Sequence, residues 1–237
     1  MIISISGKLN SGKDTLGKIL QILIDMPHFT NEAVISYLDK DIKYSYLNKK
    51  WASKLKDIVC ILLNCTRIQL EDREYKEKEL GEDWWYYKRL GKLESYLENK
   101  EFDYSSIPLI KLTPRLLLQL LGTDCGRNII HPNIWINALM SEYTDKHELS
   151  TWGHEVSFPN WIITDTRFPN EIKAVSRKQG INIRIARGKM KAEDVLLQHE
   201  SETALDNYKL DYFIKNDGTL DELVTKSRIL LKTININ

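Results

Sequence analysis

The opening stretch MIISISGKLNSGKDTLGKIL constrains the fold more than any other part of the chain. Ile2, Ile3 and Ile5 form a short β-branched run that reads as a buried strand, and Leu16, Ile19, Leu20 and Leu23 recur at helical spacing. Between them, Gly7 to Lys13 fits G-x-x-x-x-G-K, the spacing of a loop that wraps phosphate, in the strand-to-helix setting this spacing requires. Gly7 and Gly12 let backbone N–H groups turn inward around Asn10 and Ser11, the helix N-terminus adds partial positive charge, and Lys13 can reach terminal phosphates. Ligands of such folds lie at the carboxyl ends of strands in a helix-covered sheet. The remaining chain is therefore expected to supply that sheet.

Asp14 departs from the usual pattern, which has serine or threonine at that position to hold magnesium. An anion one residue from bound phosphate is repulsive unless a cation lies between. Either Asp14 meets magnesium, or it is a first-turn residue that favours the helix dipole, an effect of about 0.3–1 kcal/mol.

Further strands are expected at residues 33–38, 161–166 and 181–187 and in the run DYFIKN, each followed by a helical pattern. About five short apolar strands alternating with helices predict an α/β fold with a parallel sheet covered on both faces. Thr113 with Pro114, and Pro132, mark helix starts, as does Pro169 for a helix closed by Gly180. Thr219 and Glu222 have capping-box spacing, and WGHEVSFPN reads as a turn-rich loop. Residues 67–102, dense in charge and aromatics, read as a mostly helical excursion. Within it Trp84, Trp85, Tyr86 and Tyr87 either stack a base or fill a small core, the core being the plainer reading.

With 237 residues, 42% of them hydrophobic and 28% charged, and a net charge of +1, the chain is a globular protein with one sizeable core. That balance argues against a protein that coats nucleic acid, while a few focused arginines would suffice for a phosphorylated small ligand. The apolar runs fall well short of the roughly 20 residues of a membrane span, and no basic region precedes MIISISG. Cys60, Cys65 and Cys125 lack the paired spacing of a disulfide or zinc framework. The expectation is a cytoplasmic protein with reduced thiols, no export signal and no membrane partner.

Candidate chemistry gathers after the strands. Asp165 in TDTRFPNE is placed to hold magnesium, the alternative being a helix cap before Pro169, and Arg167 offers a fork for phosphate. Arg73 lies in EDREYKE, while Arg115, Gln119, Thr123, Asp124 and Arg127 lie across TPRLLLQLLGTDCGR. At helical spacing Arg115, Gln119 and Thr123 share a face and could form a pocket wall, although each arginine alone reads as a surface ion pair. His199 in HESE is a solvated histidine or a lid contact, with no metal assigned to it.

Taken together, GKLNSGKDT, WASKLKDIV, EDREYKE, TPRLLLQLLGTDCGRNIIHPNIW, ITDTRFPNEI, HESE and NDGTLDEL, in that order, resemble the deoxynucleoside monophosphate kinases of tailed bacteriophages. The resemblance spans nearly the whole chain, and LQLLGTDCGR with DTRFPNE is its most specific part. In that family the loop also carries aspartate after its lysine. The resemblance implies a P-loop nucleoside monophosphate kinase-like fold as a single domain: a core of about residues 1–66 and 104–237, a helical monophosphate-binding insertion at about 67–103, and a small lid at about 188–206. It implies ATP and Mg2+ as the donor pair. Gly7, Asn10, Ser11, Gly12, Lys13, Asp14 and Thr15 would hold ATP phosphates, with Asp14, Thr15 and Asp165 at the metal.

By the same resemblance Arg73, Arg115, Gln119, Thr123, Asp124, Arg127 and Trp135 would line the monophosphate pocket. Lys13, Arg127, Asp165 and Arg167 would act on the transferring group, which Arg187 would approach, and Asn216, Asp217 and Gly218 would lie near adenine. The partner is a small-molecule deoxynucleoside monophosphate, with no nucleic acid; a homodimer is left open, and a phage-encoded enzyme would work in the host cytoplasm, supplying DNA precursors. Two alternatives stand beside this reading: a kinase of another phosphorylated metabolite, such as a coenzyme A precursor, and an ATP-binding switch protein.

Overall fold

A computed structural model describes residues 1–87, 108–144, 146–150, 153–188, 204–205 and 208–236. The chain divides into two compact units, one made of Met1–Ser53 with Ile136–Asn237 and the other of Lys54–Trp135. The first unit begins with β1 (Ile2–Ser6), α1 (Lys13–Asp25), α2 (Asn31–Ser36) and β2 (Tyr46–Lys49). Helix α3 (Ser53–Leu63) leads into the second unit, which holds α4 (Arg67–Glu71), α5 (Arg73–Glu77), β3 (Trp85–Tyr87), β4 (Leu109–Lys111), α6 (Pro114–Gln119) and a π-helix (Leu120–Ile130). After α7 (Ile134–Met140) the first unit continues with β5 (Lys146–Ser150), β6 (Gly153–Ser157), β7 (Asn160–Thr166) and α8 (Pro169–Arg177). It ends with β8 (Ile181–Ala186), β9 (Tyr212–Lys215) and α9 (Leu220–Thr233).

The first unit is built on a five-stranded sheet in the order β2-β7-β1-β8-β9, parallel throughout. Strand β1 is central and every residue of IISIS is buried. Because side chains alternate along a strand, Ile3 and Ile5 enter one core with Leu16, Ile19 and Leu20 of α1 and Leu223, Val224 and Leu231 of α9. Ile2 points to the opposite core, with Trp51, Ile136, Leu139, Trp161, Ile163 and Val175. Helices thus cover both faces, as a fully buried parallel sheet requires. The second unit has its own core of Leu55, Val59, Leu70, Leu112, Leu117 and Trp135. None of the described helices is long and apolar enough to cross a membrane.

Several local expectations change. Residues 33–38 do not form a strand: the Thr30 hydroxyl accepts the Ala33 N–H and starts α2, in which only Val34 is buried. The capping signal outweighs a short apolar run, and the edge strand is instead the half-exposed YLNK of β2. The expected loop WGHEVSFPN contains β6, which pairs antiparallel with β5, two residues earlier in the chain; five paired residues satisfy backbone groups without a strong apolar pattern. Pro132 lies in the turn before α7 and not inside it, with Ile134 N donating to His131 O. Helix α8 is closed by Gln179 in the left-handed region (φ 55°), after which the Gly180 N–H returns to Val175 O. In its described part the excursion is mostly helical, with two five-residue helices and a short 3-10 helix at Glu82–Trp84, and it also holds the strand β3; its remainder at 88–102 and most of the expected lid lie outside the described residues.

Other signals hold. Thr113 caps α6 through the Leu116 N–H, with Pro114 in the first turn, and Thr219 caps α9 through the Glu222 N–H. Pro169 opens α8, but its cap residue is Phe168, whose side chain has no oxygen to offer. Glu171, 1% exposed, reaches back instead, and its Oε2 accepts the N–H groups of Arg167 at 2.7 Å and Phe168 at 3.0 Å. Glu171→Ala would strand both amides and is expected to lower stability by about 2–4 kcal/mol in urea denaturation, Glu171→Gln by clearly less, because an amide oxygen still accepts.

Candidate functional site

The loop between β1 and α1 is held from the β8 and β9 side of the sheet. Gly12 takes φ 95°, a left-handed conformation costly for residues with a Cβ, and a Cβ there would stand 2.6 Å from Asn216 Nδ2. At Gly7 a Cβ would collide with Ile185 O and approach Ser11 Oγ to 2.5 Å. Asn216, 3% exposed and just past β9, donates from Nδ2 to Ser11 O at 2.9 Å and from its backbone to Ala186 O at 2.7 Å. Its own carbonyl accepts Arg187 Nε at 3.1 Å. Asn216 and Arg187 thus brace the loop.

Inside the loop Lys13 Nζ donates to Gly7 O at 2.8 Å and Lys8 O at 2.7 Å. The Ser11 hydroxyl is buried and has no hydrogen-bond partner among the described residues. A glycine-lined cradle, an unsatisfied buried hydroxyl and an ammonium that now rests on carbonyls fit a phosphate group well. The oxygen donors Asp14, Thr15 and Asp165 are of the hard type that magnesium prefers, and magnesium commonly takes one or two carboxylates together with substrate phosphates.

Asp14, at the start of α1, is tied to the other side of the sheet. Its Oδ1 accepts Lys50 Nζ at 2.7 Å and the Thr164 hydroxyl at 2.5 Å. Burial pushes its carboxyl up, but the hydrogen bonds from Lys50 and Thr164 and the charges of Lys50 and Lys13 outweigh that and bring it below its ordinary 3.8. The side chain is still 70% exposed, so solvent screens the ion pair and its contribution to stability is small.

Asp165, at the carboxyl end of β7, caps backbone, though not that of the helix before which the sequence placed it. Its two oxygens accept the Trp51 N–H at 2.9 Å and the Ala52 N–H at 3.1 Å, just ahead of α3. The Trp51 indole N–H adds a bond to Thr166 Oγ1 at 3.0 Å. Arg167 follows, half-buried, its backbone held by Glu171. Gly218 sits directly before the Thr219 cap of α9, and Asp217 accepts the Gly188 N–H at 2.6 Å and pairs with Lys215 at 2.7 Å. Lys215 and Gly188 hold the Asp217 carboxyl low, a local arrangement of exposed groups.

In the second unit Arg73 opens α5 behind its Asp72 cap, and the exposed Arg115 of α6 bonds Glu77 of α5. Gln119 ends α6, and the π-helix begins at the next residue. The face expected to join Arg115, Gln119 and Thr123 therefore loses its α-helical register. In the wider helix Thr123 is buried, Asp124 exposed and Arg127 half-buried. Trp135, 6% exposed, belongs to this unit's core: its Nε1 donates to Gly122 O at 2.8 Å, and a Cβ on Gly126 would stand 2.9 Å from its ring. Such helices are rare and gather at functional sites.

Sequence reasoning missed Lys50, Thr164 and Glu171. Glu171 was legible as a glutamate two residues after proline at a helix start; Lys50 and Thr164 carried no local signal, because only the sheet order brings them to Asp14.

A family model described as deoxynucleotide monophosphate kinase matches residues 48–227. A deoxynucleoside-5'-monophosphate kinase of Escherichia phage T5 is 27% identical over 200 residues, covering 72% of this chain and 70% of that protein. Deoxynucleotide monophosphate kinases of Enterobacteria phage T4 and Escherichia phage RB69 are 30% identical over 120 residues and 29% identical over 118, covering 51% and 50% of this chain. Those two matches span under half of each relative, 46% and 44%.

Asp165→Asn leaves one of the two amides ahead of α3 facing an NH2 group. It is expected to cost about 1–3 kcal/mol in urea denaturation without any metal present. A residue that serves only to hold magnesium would show no such loss.

Proposed function

The chain belongs to the deoxynucleotide monophosphate kinase family, and on that premise we propose that it transfers the γ-phosphoryl group of ATP to a deoxynucleoside monophosphate, giving ADP and the diphosphate. The observation that carries this reading beyond the family match is the loop itself: glycine-lined, with a buried Ser11 hydroxyl that has no partner among the described residues, and with Lys13 folded over the Gly7 and Lys8 carbonyls. The matched region begins at residue 48, so the loop is independent support. The family favours this acceptor over another phosphorylated metabolite and over a switch protein.

Magnesium ATP, when bound, supplies the electrophilic phosphorus and the metal charge that eases its transfer. The loop N–H groups from Gly7 to Lys13 cradle the donor phosphates, and Lys13 leaves the Gly7 and Lys8 carbonyls to meet them. Thr15, with Asp14 and Asp165, offers the metal its hard oxygens; Asp165 does so on lone pairs not taken by Trp51 and Ala52. Asn216, which bonds the loop at Ser11 O, and Gly218, two residues further on, are the residues we assign to the adenine side. Arg73, Arg115, Gln119, Thr123, Asp124 and Arg127 bind the acceptor, Trp135 supporting them from the core, while Arg127, Arg167 and Arg187 neutralise charge. The acceptor phosphate is already ionised at neutral pH, so positioning and charge neutralisation carry the rate, and no histidine base is needed. The named relatives are phage proteins, which suits a role in making DNA precursors in the host cytoplasm.

A coupled ADP-release assay with each deoxynucleoside monophosphate, beside a no-acceptor control, tests the reading. ADP release should depend on the monophosphate; turnover undiminished and unaided by any acceptor would overturn it. Lys13→Ala should lose at least about a hundredfold in turnover, roughly 2.7 kcal/mol of transition-state stabilisation. Arg127→Ala should weaken monophosphate binding and leave ATP affinity intact in calorimetric titrations.

A further inference from the structure

Lys50 follows β2 and belongs to no motif in the sequence. Its ammonium stands 2.7 Å from Asp14 Oδ1, the oxygen that also accepts the Thr164 hydroxyl at 2.5 Å. Both donors come from one flank of β1, since the sheet order sets β7 and β2 on one side and β8 and β9 on the other. Ile185 and Asn216, which press on Gly7 and Gly12, belong to the opposite flank. The Asp14 carboxylate is thus drawn toward β7 and β2, while the glycine cradle closes against β8 and β9.

The cations nearby divide the work. Lys49 is engaged with Glu142 at 2.7 Å and lies over the Trp161 ring. Lys13 also acts on Asp14 through its charge, but it is the one that a bound phosphate would recruit. Thr164 is neutral and cannot balance a carboxylate. Lys50 is both charged and directed at Asp14 by geometry, and its ammonium is not part of the glycine loop.

We infer that Lys50 is a positioning residue of the phosphate site: it balances the Asp14 carboxylate and holds it to the β7 and β2 flank, so that nucleotide phosphates meet the loop without an uncompensated anion beside Lys13. This rests on the phosphate-site reading above and adds the reason a loop can carry aspartate where a hydroxyl is usual. The effect passes through Asp14, so Lys50 should matter only while Asp14 is charged.

The test is an equilibrium titration with fluorescently labelled ADP in the absence of magnesium, on the wild type, Lys50→Ala, Asp14→Asn and the double variant, with melting curves to check folding. Lys50→Ala should weaken ADP binding about tenfold when Asp14 is present and less than about twofold beside Asp14→Asn, a coupling that the cycle isolates. Lys50→Arg should stay within about threefold of wild type, because it keeps the charge. Equal losses in both backgrounds would overturn the inference by showing that Lys50 meets phosphate directly, and no loss in either would overturn it as well. Failure of the wild type to bind ADP would overturn the phosphate-site reading, and this inference with it. Should Lys50→Ala fail to fold, Lys50→Gln enters the same cycle with the same expectations.

Discussion

The burial of β1 between β7 and β8 is the constraint on which the site depends. All five of its residues are buried, so the strand cannot slip or fray without exposing two cores at once. Its pairings run Ile2 to Trp161 and Ile3 to Ile162 on one side and Ile3 to Ile181 on the other. These registers bring the ends of three strands beside one another, and the residues that follow them inherit a common location. Gly7, Asp165 and Arg187 are neighbours of strand ends before they are anything else.

A second theme is that the site's charged and polar groups are already occupied with the protein itself. Lys13 rests on loop carbonyls, Asp14 on Lys50 and Thr164, Asp165 on two backbone amides, and Arg187 on the Asn216 carbonyl. Lys13 and Asp165 are half-buried and need such partners. The arrangement is pre-organised without being inert, because a carboxylate oxygen has a second lone pair and a lysine can rotate. Ser11 is the exception, a buried hydroxyl with no partner among the described residues, and it marks where the protein is incomplete on its own.

Much of this was legible in the chain. The strand, glycine loop and helix at the start, the helix caps at Thr113 and Thr219 and the strand ending in Asp165 follow from local chemistry, and the family resemblance agrees with the family found by comparison. What escaped depends on long-range geometry or on competing local signals. Residues 33–38 look like a strand until the Thr30 cap is weighed, and β6 lacks an apolar pattern because pairing with β5 supplies its stability. The partners of Asp14 and Asp165 are distant in the chain: Thr164 lies 150 residues and Lys50 36 residues from Asp14, and Trp51 lies 114 residues from Asp165. No spacing rule reaches that far.

The π-helix from Leu120 to Ile130 bears on how this part of the chain can change over time. Each residue of an ordinary helix turns the chain by about 100°, and a wide helix accommodates its extra residue only because Gly122 and Gly126 let the backbone lie close to Leu55 and Trp135. Removing one residue there would let the segment relax into the commoner form and would swing Asp124 and Arg127 away from their present directions. Length therefore constrains this segment as much as residue identity does, and exchanges of side chain there should be tolerated more readily than insertions or deletions.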